Sequence, residues 1–214
     1  MKRLLAVGDS FTRGDELEDL DLAWPKVLGN KIGYHVTNLA QSGGANQRIV
    51  REIVTNVNNY DLFVIGWSMF DRLELCDDAG IFESWPAKRC AHMSRSMNRR
   101  DFDKWYTLNF NDDYLYREYL IDIIATQSIL ELHNKPYIMI DAFGNHLWPQ
   151  RFTDANKDLI SRIHTDHFVG WPDASMQEIA GDCEYGPIGH FLQVGHERVA
   201  DKIYEYIRNF GWVS

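Results

Sequence analysis

The sequence predicts a three-layer α/β protein, one parallel sheet held between two sets of helices. Three observations lead there. Short apolar runs of strand character recur at residues 4–7, 34–39, 60–67 and 137–141. Segments with apolar residues at helical spacing separate them. The run Leu62-Phe63-Val64-Ile65 is apolar without alternation, as expected of a strand covered on both faces. Strands alternating with helices imply parallel pairing and right-handed crossovers. At 214 residues the chain forms a single domain, residues 1–214, with ample length for a core.

The first apolar run leads straight into Gly8-Asp9-Ser10-Phe11-Thr12-Arg13-Gly14. This polar turn follows the C-terminal end of a strand, where open α/β sheets bind ligands. Ser10 there reads either as a nucleophile or as the cap of a helix, since serine is a favoured cap. Residues 22–32 carry Trp24, Val27, Leu28 and Ile32 near helical spacing, and Gly33 is a natural C-cap. The second strand, rich in β-branched residues, ends in the glycine-rich loop Ala40-Gln41-Ser42-Gly43-Gly44-Ala45-Asn46. That loop opens a helix carrying Ile49, Ile53, Val54 and Val57. The third strand ends in Gly66-Trp67-Ser68-Met69-Phe70-Asp71-Arg72.

Residues 73–113 break the alternation, mixing aromatics such as Trp85 and Trp105 with bases such as Arg95, Arg99 and Arg100. They read as an insertion over one end of the sheet, either a cap or substrate lid or a packed loop with ordinary surface charge. A long helix follows over 114–133, and Lys135-Pro136 feeds the fourth strand at 137–141. Residues 154–163 read as helix. Residues 164–187 are irregular, with a short strand near 167–169 and a short helix near 174–180. Gly189-His190-Phe191-Leu192-Gln193-Val194-Gly195-His196 then runs into a last helix with Val199, Ile203, Tyr206 and Ile207. Of the doubly wound orders, a flavodoxin-like one is expected. It gathers Ser10, Gly43, Gly44, Ser68 and Asp141 at one edge of the sheet.

Composition narrows the function classes. A formal net charge of -9 argues against nucleic acid as the main partner. No stretch is long and apolar enough to span a membrane. The run after Met1-Lys2-Arg3 is too short for a signal-peptide core and lacks a cleavage site, which predicts a cytoplasmic protein. The 3 cysteines, Cys76, Cys90 and Cys183, match no zinc spacing and read as reduced thiols. The histidines form no ligand pattern, so no metal is expected. Gly43-Gly44 at a helix start could hold a phosphate. There is neither a G-x-G-x-x-G sequence nor a P-loop lysine, so no nucleotide cofactor is expected either.

Four of these blocks, in this order, resemble those of the SGNH hydrolases, the GDSL esterase/lipase superfamily. The resemblance covers nearly the whole chain, with 73–113 as the variable part. Gly8-Asp9-Ser10 matches the block whose serine is the nucleophile. Ser42-Gly43-Gly44-Ala45-Asn46 matches the block whose glycine N–H enters the oxyanion hole. Gly66-Trp67-Ser68 falls where the family has Gly-x-Asn, and His190, followed by Gly195-His196 and the last helix, matches the block that supplies the base. The resemblance implies a three-layer α/β/α sandwich with a flavodoxin-like parallel sheet. It also implies hydrolysis of a small ester, with an O-acetylated carbohydrate as one candidate substrate. The wording of the loops is similar to SGNH-like proteins carried by tailed bacteriophages. The oligomeric state is not readable from the chain.

The chemistry fits the residue types. A serine hydroxyl needs a base within reach, and a neutral imidazole serves near pH 7. The expected nucleophile and base are therefore Ser10 and His190. The developing oxyanion needs donors, here the N–H groups of Ser10 and Gly44 with a side chain from Ser68 or Asn46. Asn46 could equally cap its helix. Two departures from the family stand out. Ser68 replaces the asparagine, and Pro187 stands three before His190, where the family carries aspartate. Either a backbone carbonyl orients His190, giving a Ser-His dyad, or Glu184 or Asp182 reaches in. The alternative is a weak or inactive descendant, a binding or virion-associated module on the same fold.

Overall fold

A computed structural model describes residues 1–76, 82–86, 100–101, 104–105, 108, 111–143 and 154–213. In chain order the elements are β1 (Arg3–Val7), α1 (Ser10–Arg13), α2 (Trp24–Ile32), β2 (His35–Asn38), α3 (Asn46–Asn56), β3 (Leu62–Trp67), β4 (Arg72–Cys76), β5 (Phe82–Pro86), α4 (Asp112–Leu132), β6 (Tyr137–Asp141), α5 (Lys157–Ile160), β7 (Phe168–Val169), α6 (Met176–Ala180) and α7 (Gln193–Asn209). The main sheet has 5 strands in the order β2-β1-β3-β6-β7, every neighbouring pair parallel. This is the expected flavodoxin-like order, and it puts the C-terminal ends of β1, β2, β3 and β6 on one edge.

Strand residues alternate between two cores because successive side chains leave opposite faces of a sheet. Leu4, Ala6, Leu62, Val64, Ile138 and Ile140 pack with Trp24 and Leu28 of α2, Met176 of α6, and Val199, Ile203 and Ile207 of α7. Leu5, Val7, Phe63, Ile65 and Met139 pack with Ile49 and Ile53 of α3 and with Leu120, Ile123 and Leu130 of α4. Two cores on two faces make the α/β/α sandwich. They also explain the unbroken apolar character of β3, buried along its whole length.

The helix expected over 154–163 is shorter, because Arg162 and Ile163 donate to Leu159 and Ile160, the tighter bonding of a turn. Gly33 ends α2 in the left-handed conformation, at φ 71°, as expected. The insertion at 73–113 lies largely outside the described residues. Within it, β4 and β5 pair antiparallel as a separate two-stranded sheet. Among the described residues, no helix is long and apolar enough to cross a membrane.

Candidate active site

The turn after β1 is built by its own side chains. Asp9 caps α1, its carboxylate accepting from the Phe11 N–H at 3.0 Å, and Gly14 at φ 92° ends the helix after one turn. Ser10 is thus the first helical residue, only 6% exposed, with an N–H that has no i−4 partner inside the helix. Phe11 dives into the core against Phe191 and Phe143 and lies 4.8 Å, centroid to centroid, from the His190 ring. The fold therefore brings His190 beside the Ser10 turn. The Ser10 hydroxyl makes no hydrogen bond among the described residues.

His190 sits at the end of a tight loop. Gly186 N–H donates to the His190 carbonyl at 2.8 Å, Leu192 N–H donates to Glu184 O at 2.8 Å, and Tyr185 bridges Phe191. A carboxylate from the other end of the chain reaches His190. Glu16 Oε2 lies 2.8 Å from His190 Nδ1 and accepts from the His190 N–H at 3.0 Å, while Oε1 accepts from the Ile188 N–H at 2.8 Å. Burial opposes the charge on Glu16, but these donors outweigh it and hold the carboxyl below its ordinary range. Glu184 and Asp182, the two carboxylates expected to orient His190, do not. Both are exposed, and their roles in the loop are carried by backbone carbonyls, Glu184 O receiving Leu192 and Asp182 O receiving Arg198. The backbone turns the Ile188 and His190 N–H groups toward Glu16, and that pairing decides the partner.

Sequence reasoning missed Glu16 because nothing local marks it. Gly14-Asp15-Glu16 reads as an acidic surface turn, and the φ of 69° that swings Glu16 round is not written in its residue type. The one legible trace is Gly186. A Cβ there would fall 2.5 Å from the Glu16 carboxylate, so only glycine leaves the carboxylate its place.

The other two loops close against this turn. Gly44 packs on the backbone before Ser10, where an added Cβ would meet Gly8 O at 3.1 Å. Its N–H donates to Gln41 O at 2.9 Å and so closes the glycine-rich turn. Asn46 neither caps α3 nor offers a free amide. Its Oδ1 accepts from the Ser68 N–H at 2.9 Å, and its Nδ2 donates to the carbonyls of Ser68 and Met69, both at 3.3 Å. The amide's two hydrogens are thereby spent on clamping the third loop. Ser68 donates its only hydroxyl hydrogen to Asp9 Oδ2 at 3.0 Å. Neither Asn46 nor Ser68 is therefore a free oxyanion donor in this structure.

Arg72, at the start of β4, completes the cluster. Its Nη1 donates to Ser68 Oγ at 2.6 Å, Asp9 Oδ2 at 2.9 Å and Gly44 O at 3.4 Å. Asp9 is fully buried, and burial raises its pKa against the opposing effects of Arg72, Ser68 and the Phe11 N–H. Beside Ser68, a small pocket of about 10 Å³ is lined by Ser68, Met69, Phe70, Tyr116, Tyr119, Asp141 and Phe143. That is room for about one water-sized group. Burial pushes the Asp141 carboxyl up to about 7, with the Tyr119 hydroxyl bonded to it. His196 is buried and holds helices together. Its Nδ1 accepts the Trp24 N–H at 3.2 Å, tying α7 to the start of α2.

A family model described as a family of unknown function, DUF6071, matches residues 15–214. No match to a curated protein was found by sequence. Solved structures do match. One is the psychrotrophic esterase EstA from Pseudoalteromonas sp., in a form inhibited by monoethylphosphonate, with TM-score 0.58, 14% identity and 98% of each chain covered. Another is a member of the lipolytic protein G-D-S-L family from Veillonella parvula, with TM-score 0.51, 14% identity, 96% of this chain and 97% of that one. A third is an acetyl xylan esterase from Butyrivibrio proteoclasticus, with TM-score 0.54 and 13% identity, covering 100% of this chain and 65% of that one. At these identities the likeness establishes the fold, that of the SGNH hydrolases.

Proposed function

The chain belongs to DUF6071, a family of unknown function, and we propose that it is a serine ester hydrolase of SGNH type. The observation that carries this reading is the His190–Glu16 pair beside the Ser10 turn. A carboxylate held by two backbone N–H donors and bonded to Nδ1 fixes the imidazole tautomer and leaves Nε2 to take a proton. In the proposed reaction, Ser10 Oγ attacks the ester carbonyl carbon and its proton passes to His190 Nε2. The carbonyl electron pair moves onto oxygen and is met by the Ser10 N–H at the start of α1. Collapse restores the carbonyl, breaks the bond to the alcohol and returns the proton to the leaving oxygen. Water, deprotonated by His190, then releases the acid and regenerates Ser10.

The acyl group in this reading is small. The likeness to an acetyl xylan esterase makes an O-acetylated carbohydrate the first substrate to try. Short p-nitrophenyl esters and a fluorophosphonate probe test the reading. The native protein should hydrolyse the ester and label at one site, and Ser10→Ala should do neither. Equal behaviour of the two proteins would replace the enzyme with a non-catalytic binding module on the same fold.

A further inference from the structure

The expected oxyanion donors are largely committed. Gly44 N–H closes a turn on Gln41, Ser68 gives its hydrogen to Asp9, and Asn46 gives both of its hydrogens to carbonyls. An acyl-transfer site with a single backbone donor is poorly equipped, since each donor accounts for roughly 10²–10³ in turnover. One side chain at the same place still has donors to give. Arg72 spends only Nη1 on Asp9, Ser68 and Gly44 O. Nη2 makes no hydrogen bond among the described residues, and Nε is buried without a partner. A guanidinium carries five N–H donors in a fixed plane, so the pairing with Asp9 leaves several over.

We propose that Arg72 is a catalytic residue of this site, donating to the substrate's carbonyl oxygen as it becomes an oxyanion and so standing in for the absent asparagine. The inference rests on the serine-hydrolase reading above. The placement supports it twice. Nη1 touches both Ser68, the residue at the asparagine position, and Gly44 O of the second loop, so the guanidinium bridges the two loops that would flank the oxyanion. Its plane is also fixed, with Cζ 5.1 Å from the Phe143 ring, and Phe143 in turn packs edge-on against Phe11 beside Ser10. Asp9 keeps the pair neutral in the resting site. When the carbonyl electron pair moves onto oxygen, the new negative charge meets a cation already oriented, and no group has to reorganise.

A merely structural Arg72, holding Asp9 and the loops, predicts a different response to substitution. Arg72→Lys keeps a charge for Asp9 but lacks the planar fork. It should retain the fold by circular dichroism and thermal melting, and label with the fluorophosphonate about 100-fold more slowly than the native protein. In ester hydrolysis the loss should fall on kcat with KM little changed, the mark of an interaction made only in the transition state. Labelling within about threefold of native, or a loss confined to KM, would overturn the inference. Should the lysine variant fail to fold, Asp9→Asn/Arg72→Gln removes both charges together. The same loss from that variant supports the role, and native-like labelling overturns it. A native protein that does not label, or a Ser10→Ala variant that labels equally, removes the serine-hydrolase reading itself and Arg72's role with it. The two failures are thus distinct.

Discussion

Glu16 acts on His190 through one ring nitrogen, and the chemistry of that contact is open to a single-atom test. In Glu16→Gln the amide can present an N–H to Nδ1. This selects the tautomer that carries its proton on Nε2, which cannot accept one from Ser10. Turnover of a p-nitrophenyl ester should fall by about 10³–10⁴ with KM nearly unchanged, as when the orienting carboxylate of a triad becomes an amide. Steady-state kinetics beside a thermal melt would check it. Equal turnover would mean that the backbone alone holds the ring. At this scale the sequence named Ser10 and His190 from their blocks but not the third partner. Pro187 removed the expected carboxylate, and Glu16 lies 174 positions away from His190 along the chain.

The elements that matter are loops fixed by the ends of strands. The turn between Gly186 and His190 has room for the Glu16 carboxylate only because residue 186 has no side chain. In Gly186→Ala the new methyl would sit 2.5 Å from Glu16 Cδ, and the carboxylate must leave its three donors. Esterase activity should drop by about 10²-fold or more, with stability reduced by roughly 1–2 kcal/mol, the usual cost of overpacking. Kinetics and urea unfolding separate the two effects. The Asn46 clamp belongs to the same scale. Its residue type fits a cap, but Ala45 caps α3 with no side-chain bond, and the Asn46 amide is drawn instead to the backbone of the third loop across a parallel sheet. A one-dimensional reading weighs neighbours in sequence and so left the cap and the oxyanion donor equally open, without reaching the clamp.

For the molecule as a whole, buried titratable groups shape the pH range of stability, His196 and Asp141 among them. Burial lowers the His196 pKa to about 3, with nearby His190 adding to the effect. An unfolded histidine binds a proton near 6.5, so the unfolded chain gains one first, and stability should fall as the pH drops from about 6.5 toward 3. Asp141 works the other way. Its folded pKa of about 7, raised by burial against the Tyr119 hydrogen bond, lies above that of a free aspartate. The unfolded chain sheds this proton first, near pH 4, so stability falls as the pH rises from about 4 to 7 and stays low above that. Asp141→Asn should flatten the alkaline side, gaining up to about 4 kcal/mol relative to the native protein at pH 8. Denaturant unfolding at pH 5 and pH 8 measures it, and an equal change at both would assign the effect to packing rather than to titration.

By itself the sequence determined the alternation of strands and helices and so the layers, while the strand order it favoured among the doubly wound ones was decided by the fold. The layers follow from hydrophobic patterning, since an unbroken run such as Leu62-Phe63-Val64-Ile65 fits a strand covered on both faces, which β3 is. The sequence also singled out Ser10, Gly44 and His190, because a strand end followed by Gly-Asp-Ser, or a Gly-His before a helix, is a local pattern. Only the tertiary structure decided which carboxylate holds His190 and how the hydrogens of Ser68 and Asn46 are spent. It alone left Arg72 with donors to give. A hydrogen bond forms between groups that the fold brings within about 3 Å, and distance along the chain carries no information about that. The strand ends were legible because each is a property of neighbours. The pairing at the site is a property of two cores packed on one twisted sheet.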